Sequence, residues 1–158
     1  MRDYAEVVAR AAEAAAQPLA LVGWSMGGLV ALIAANAVAP EALVLLEPSP
    51  PAEAQVDDPQ AELVTGSFDP EQTYGAFPPG VRARPESSLA RAERKRGISV
   101  PEVRCRTLVV SGDDFPEERG RRVARLYAAE ARQFDGFSHW DLVLRPEVPL
   151  AVADWLRT

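Results

Sequence analysis

The sequence predicts an α/β fold in which a parallel sheet of about four strands is flanked by helices and interrupted by one irregular insertion. Three observations carry this expectation. Short apolar runs of strand length alternate with longer segments of helical period along the chain. Residues 42–46, ALVLL, are apolar at every position, as expected of a parallel strand covered on both faces. The stretch 19–39 passes from a buried strand through a serine set between glycines, Gly23-Trp24-Ser25-Met26-Gly27, into a helix.

The elements follow in order. Residues 3–16 read as an amphipathic helix, with Tyr4, Val7, Val8, Ala11, Ala12 and Ala15 on its apolar side, Asp3 and Glu6 at its start and Pro18 after its end. Residues 19–22 form a buried strand and 28–38 the helix after it, and 42–46 form the second strand. Pro48-Ser49-Pro50-Pro51 then forbids regular structure. Residues 48–103 stay rich in proline, with scattered Phe68, Tyr74 and Phe77, and are expected to be a lid, because a long irregular excursion from a compact domain usually covers a site. Its one clear helix is expected at 85–96, opened by Ser87 or Ser88 and closed by Arg91, Arg94, Lys95 and Arg96, a cluster better read as a solvated face than as a phosphate site. A third strand at 106–111, a helix at 116–131 with Val123, Ala124, Leu126 and Tyr127 inward, a short strand at 132–134 and a closing helix at 146–157 with Leu150, Ala153 and Leu156 inward complete the chain.

A chain of 158 residues with 47% hydrophobic content suits a single domain, 1–158, that buries about 70% of its unfolded surface. Net charge −6 argues against a nucleic-acid or anionic-membrane partner. The apolar run 19–39 is long enough to raise a membrane helix with a Gly23-x-x-x-Gly27 face, but Pro18 and Pro40 bound it, no basic cluster flanks it and another strand follows. Cys105 is the only cysteine and His139 the only histidine, so neither an internal disulfide nor a structural zinc site is expected, and no metal or cofactor is called for. The opening MRDYAEVVAR holds acids and no apolar segment, unlike a signal peptide, and a cytoplasmic location is the default expectation.

Chemistry centres on Ser25. A serine projecting from a tight strand-to-helix turn needs slim neighbours, which Gly23 and Gly27 supply, and the helix after it aims free N–H groups at the space above the serine oxygen. Here the sequence resembles the α/β-hydrolase superfamily. Gly-Trp-Ser-Met-Gly-Gly-Leu-Val-Ala looks like the nucleophile elbow of its small esterases, the pimeloyl-carrier-protein methyl ester esterases among them, and the segment around His139 matches the order Ser, Asp, His that the superfamily uses. The resemblance implies a nucleophile at Ser25, a base at His139 and an acid in the loop after the third strand. Asp114 is the choice for that acid, Asp113 the second, and Glu47, at the tip of the second strand, a third, since some members carry the acid there. It also implies an oxyanion hole built in part on the N–H of Met26, with Trp24 and Trp140 as substrate-binding residues.

The strands that family members place ahead of the nucleophile strand have no counterpart, nor does the His-Gly loop that supplies the second oxyanion donor. The expectation is an N-terminally truncated version of the fold. Its activity is a serine hydrolase acting on a small-molecule ester or thioester through an acyl-enzyme. The alternative is a non-catalytic relative that associates through an exposed strand edge at 18–24, with a homodimer as the expected assembly. A coding frame upstream of Met1 would explain the same omission.

Overall fold

The strands pair in the order in which the chain makes them. A computed structural model describes residues 1–55, 76–81, 86–115 and 117–158. Strands β1 (Ala20–Trp24), β2 (Ala42–Leu46), β3 (Arg106–Ser111) and β4 (Glu130–Gln133) form one parallel sheet in the order β1-β2-β3-β4. Helices α1 (Arg2–Glu13), α2 (Met26–Val38), α3 (Ser88–Arg96), α4 (Glu117–Leu126), α5 (Asp141–Leu144) and α6 (Glu147–Arg157) cover its two faces.

Strand periodicity divides the core. Successive side chains of β2 point to opposite faces, so Leu43 and Leu45 join Leu29, Leu32, Val109 and Val123 on the face covered by α1, α2 and α4. Ala42, Val44 and Leu46 join Leu108, Val110, Leu142, Val148, Val152 and Trp155 on the face covered by α5 and α6. All five residues of β2 are buried, which explains why its sequence is apolar throughout. Each fully buried leucine contributes about 1.5–3 kcal/mol relative to exposure. β4 is the polar edge, EARQ, and shows one half-buried position among exposed ones. β1 is the other edge: among the described residues it pairs only with β2, and Val22 on it is 55% exposed.

Several boundaries differ from expectation, each for a local reason. α4 stops at Leu126 rather than 131, because Ala128 turns left-handed (φ 49°). Ala129 N–H donates to Ala124 O at 2.8 Å and Ala128 N–H to Arg125 O at 3.3 Å, a Schellman ending built on alanine instead of glycine. β4 therefore starts at Glu130, two residues early. α1 buries Ala5 and Ala12 together with its N-cap Met1, with Tyr4 and Val8 beside them, while Val7 is 55% exposed. α6 buries Val148, Val152 and Trp155 and leaves Leu150 outside, with Pro146 as its N-cap.

Much of the expected lid, 56–75 and 82–85, lies outside the described residues, Phe68 and Tyr74 included. The described parts of 48–103 include a 3₁₀ turn at Ala52–Ala54 and α3, whose N-cap Ser87 accepts from Ala90 N–H at 3.1 Å. The basic end of α3 is tied back: Arg94 makes a forked bond to Glu86 at 2.7 and 3.0 Å. Among the described residues no helix is long and apolar enough to cross a membrane.

Candidate active site

Ser25 occupies the corner between β1 and α2 with φ 55° and ψ −124°, a backbone state that costs a non-glycine residue about 1–3 kcal/mol. It is the N-cap of α2, where serine normally bonds back to the helix, yet its side chain makes no cap bond. The main chain enforces the corner. Ser25 N–H donates to Leu46 O at 2.9 Å, and its carbonyl accepts from Gly28 N–H at 3.0 Å and Ser49 N–H at 2.8 Å. The steric demand falls on Gly23 and Gly28 rather than on Gly23 and Gly27. A Cβ on Gly23 would meet Gly27 O at 2.5 Å, and one on Gly28 would meet Pro48 Cβ at 2.6 Å, whereas one on Gly27 would meet nothing within 4 Å. Met26 is the first residue of α2, so its N–H is one of the helix's unbonded leading donors, directly after Ser25.

The register pairs Trp24 with Leu46, so Ser25 and Glu47 leave the sheet side by side from the carboxyl ends of adjacent strands. Glu47 is likewise strained, at φ 40°, and its N–H donates to Val110 O at 2.8 Å. It is 4% exposed. Its Oε1 accepts from Gly112 N–H at 2.8 Å, and its Oε2 lies 2.5 Å from Nδ1 of His139, itself 1% exposed. The carboxylate at the imidazole is thus Glu47, the third of the sequence candidates.

Asp114, the first candidate, points elsewhere: its Oδ2 accepts from the main-chain N–H of His139 at 2.6 Å. Asp113, the second, accepts from Gly136 N–H at 2.6 Å and from the Gln133 side-chain amide at 3.2 Å. Both therefore bond the loop after β4. The reason lies in chain geometry. Gly112 packs so tightly under the Phe137 carbonyl that the loop after β3 is drawn along the His139 loop, while Glu47 reaches the ring from the neighbouring strand. On either side of His139, Ser138 donates to Asp141 through Oγ (2.7 Å) and N–H (2.8 Å), and these donors hold the Asp141 carboxyl below the ordinary aspartate range.

Aromatic rings wall the imidazole. Trp24 lies 4.6 Å from it between centroids and donates its indole N–H to the His139 carbonyl at 3.1 Å, and Phe115 meets it edge-on at 5.3 Å. Trp140 stands 4.9 Å from Trp24 and takes the edge of Phe77 at 5.0 Å. Its own indole N–H is buried with no acceptor among the described residues. Sequence reasoning overlooked Phe115 and Ser138, which carry no chemistry of their own, and the steric role of Gly28, for which the doubled glycine was the only signal. Cys105 lies just ahead of β3, at the opposite end of that strand from this cluster, and burial raises its thiol pKa. Among the described residues no group of His, Cys, Asp and Glu could hold a metal ion.

A sequence model of the alpha/beta hydrolase family matches residues 1–157. Three solved structures are similar. The type II thioesterase BorB from the borrelidin biosynthetic cluster has a TM-score of 0.62 and 20% identity, over 99% of this chain and 70% of that one. Paleococcus ferrophilus monoacylglycerol lipase has 0.67 and 17%, over 98% and 74%. MenH from S. aureus has 0.62 and 18%, over 98% and 74%. At these identities the likeness is one of fold. Comparison with the curated proteins gives no significant match.

Proposed function

The chain belongs to the alpha/beta hydrolase family, and from that premise we propose that it is a serine hydrolase cleaving a small carboxylic ester or thioester, with Ser25 as nucleophile, His139 as general base and Glu47 as the acid. The observation that carries this reading is the buried His139–Glu47 pair beside the strained corner that presents Ser25. A neutral serine hydroxyl is a poor nucleophile, so a base must take its proton as it attacks the acyl carbon. Glu47 engages Nδ1, which fixes the tautomer and makes Nε2 the nitrogen that exchanges protons. In an almost dry site the carboxylate also stabilises the imidazolium formed in the transition state.

The oxyanion of the tetrahedral intermediate would rest on Met26 N–H and the leading turn of α2. His139 would then return its proton to the leaving alcohol or thiol, and activate the water that releases the acid from Ser25. Trp24, Trp140 and Phe77 give the acyl group an apolar wall. Thioesterase and lipase neighbours of the same fold support an acyl substrate without choosing between oxygen and sulfur leaving groups.

The test is a fluorophosphonate probe. Labelling at Ser25 that vanishes in Ser25→Ala and falls steeply in His139→Ala is the expected result, and folded protein that takes no label would overturn the reading. A second reading is favoured by one observation, that among the described residues β1 has a partner on one side only: association with another copy of the chain through that strand, with or without catalysis.

A further inference from the structure

We propose that Asp114 is a positioning residue that fixes His139 through the main chain, leaving the electrostatic work at the ring to Glu47. This rests on the hydrolase reading above and divides between two residues a task that a single triad acid would perform.

His139 is held at three atoms by three different elements. Its N–H donates to Asp114 at 2.6 Å, its carbonyl accepts from the Trp24 indole at 3.1 Å, and its Nδ1 meets Glu47 at 2.5 Å. The first two fix where the residue sits, and the third fixes how the ring is turned. Asp113 extends the same clamp: its carboxylate accepts from Gly136 N–H at 2.6 Å, and its own N–H donates to Phe137 O at 2.8 Å. Gly112 N–H completes the arrangement by bonding the far oxygen of Glu47. The loop after β3 therefore touches both the acid and the backbone of the base, so it sets their separation.

Solvent decides which carboxylate does which task. Asp114 is exposed, and its charge is screened by water. Glu47 is sealed, where a charge acts on its neighbour at full strength. A hydrogen bond that a backbone N–H donates to an exposed carboxylate still dictates position, because it depends on the acceptor oxygen and not on the charge reaching the ring.

That distinction separates the two carboxylates experimentally. Asparagine keeps an acceptor oxygen for the His139 N–H and loses the charge. Asp114→Asn is therefore expected to keep kcat/KM on p-nitrophenyl butyrate within about 5-fold of the unsubstituted protein, whereas Glu47→Gln should lose about 10⁴-fold, the scale measured when a triad acid is made neutral. Asp114→Ala should lower kcat by about 10–100-fold with KM little changed, as expected when a reacting group drifts by about 1 Å.

A readout independent of turnover is the backbone amide of His139 in a ¹H–¹⁵N spectrum. A strongly downfield proton should persist in Asp114→Asn and move upfield in Asp114→Ala. Equal losses in Asp114→Asn and Glu47→Gln would overturn the proposal, as would an Asp114→Ala protein with unchanged kcat and an unmoved His139 amide. If Asp114→Ala does not fold, the comparison of Asp114→Asn with Glu47→Gln decides alone. Failure of the fluorophosphonate label would sink the hydrolase reading but leave the amide shifts to judge the clamp.

Discussion

Oε2 of Glu47 lies 2.5 Å from Nδ1 of His139, and the two side chains are 3% and 2% exposed. Removing the acceptor of a buried hydrogen bond leaves its donor unsatisfied, at a cost of about 1–3 kcal/mol for each donor. Glu47→Ala would leave both the imidazole and Gly112 N–H without this acceptor. It should lower stability by an amount in that range for each of the two, read from urea denaturation at pH 7. Glu47→Gln keeps the shape and an acceptor, so its stability loss should be smaller even though its activity loss is large. A Glu47→Ala protein as stable as the original would mean that the pair is not buried in solution.

The glycines around Ser25 give a sharper contrast. In Gly23→Ala the new methyl meets backbone atoms of Gly27 and Gly28 at 2.5 and 2.7 Å, and in Gly28→Ala it meets Pro48 at 2.6 Å, so neither obstacle can swing aside. Overpacking of this kind costs about 1–3 kcal/mol, which lowers Tm by about 2–12 °C in a chain of this size. Gly27→Ala meets nothing within 4 Å and sits inside α2, where alanine is favoured over glycine by about 1 kcal/mol. Thermal melts should therefore rank Gly27→Ala at or above the unsubstituted protein and the other two below it. The reverse order would show that the corner is formed differently.

Much of this architecture was legible because period and packing are properties of the sequence itself. β2 and β3 have the expected bounds, since β2 is apolar at every position and β3 carries the apolar run Leu108, Val109 and Val110, and such runs have few options other than a doubly covered strand. The corner at Ser25 was legible from its glycines, although the pair that matters sterically is Gly23 and Gly28. Contacts set by distant main-chain atoms were not legible. The sequence shows carboxylates at 47, 113 and 114, but which of them meets Nδ1 depends on a parallel register and on a backbone N–H that every residue has. The end of α4 escaped for a similar reason: Ala128 adopts the left-handed state that glycine or asparagine would have announced.

Acid should loosen the contact between Ser138 and Asp141, the residues that bracket His139. Donation from the Ser138 hydroxyl, then from its N–H, depresses the Asp141 carboxyl, with desolvation opposing and Arg145 adding a smaller attraction. A depressed folded value means that this contribution is complete above the unfolded aspartate value of about 3.9 and is lost as pH falls through the folded one. Stability from this source should be flat from pH 7 to about 5 and decline below about 4. A carboxyl-carbon NMR titration should give Asp141 a midpoint below that of an unstructured aspartate, and Ser138→Ala should move it upward. An unmoved midpoint in Ser138→Ala would remove the hydroxyl as its cause.

Edge chemistry supplies the last prediction. Among the described residues β1 offers one row of N–H and C=O groups to β2 and the other row to no strand, and Val22 stands 55% exposed on it. The opposite edge, β4, is guarded by Glu130, Arg132 and Gln133, charged and polar side chains of the kind that discourages strand addition. β1, ALVGW, has no such guard, so the two edges differ in what they invite. Two copies meeting at β1 would pair like surfaces about a two-fold axis, the commonest arrangement for a homodimer. Light scattering at tens of micromolar should then report a dimer, and Val22→Lys, which places a charge in the middle of the seam, should shift it to monomer without lowering the Tm of the separated chains. A monomer in the unsubstituted protein at that concentration would exclude self-pairing at this edge, and a dimer indifferent to Val22→Lys would place the interface elsewhere.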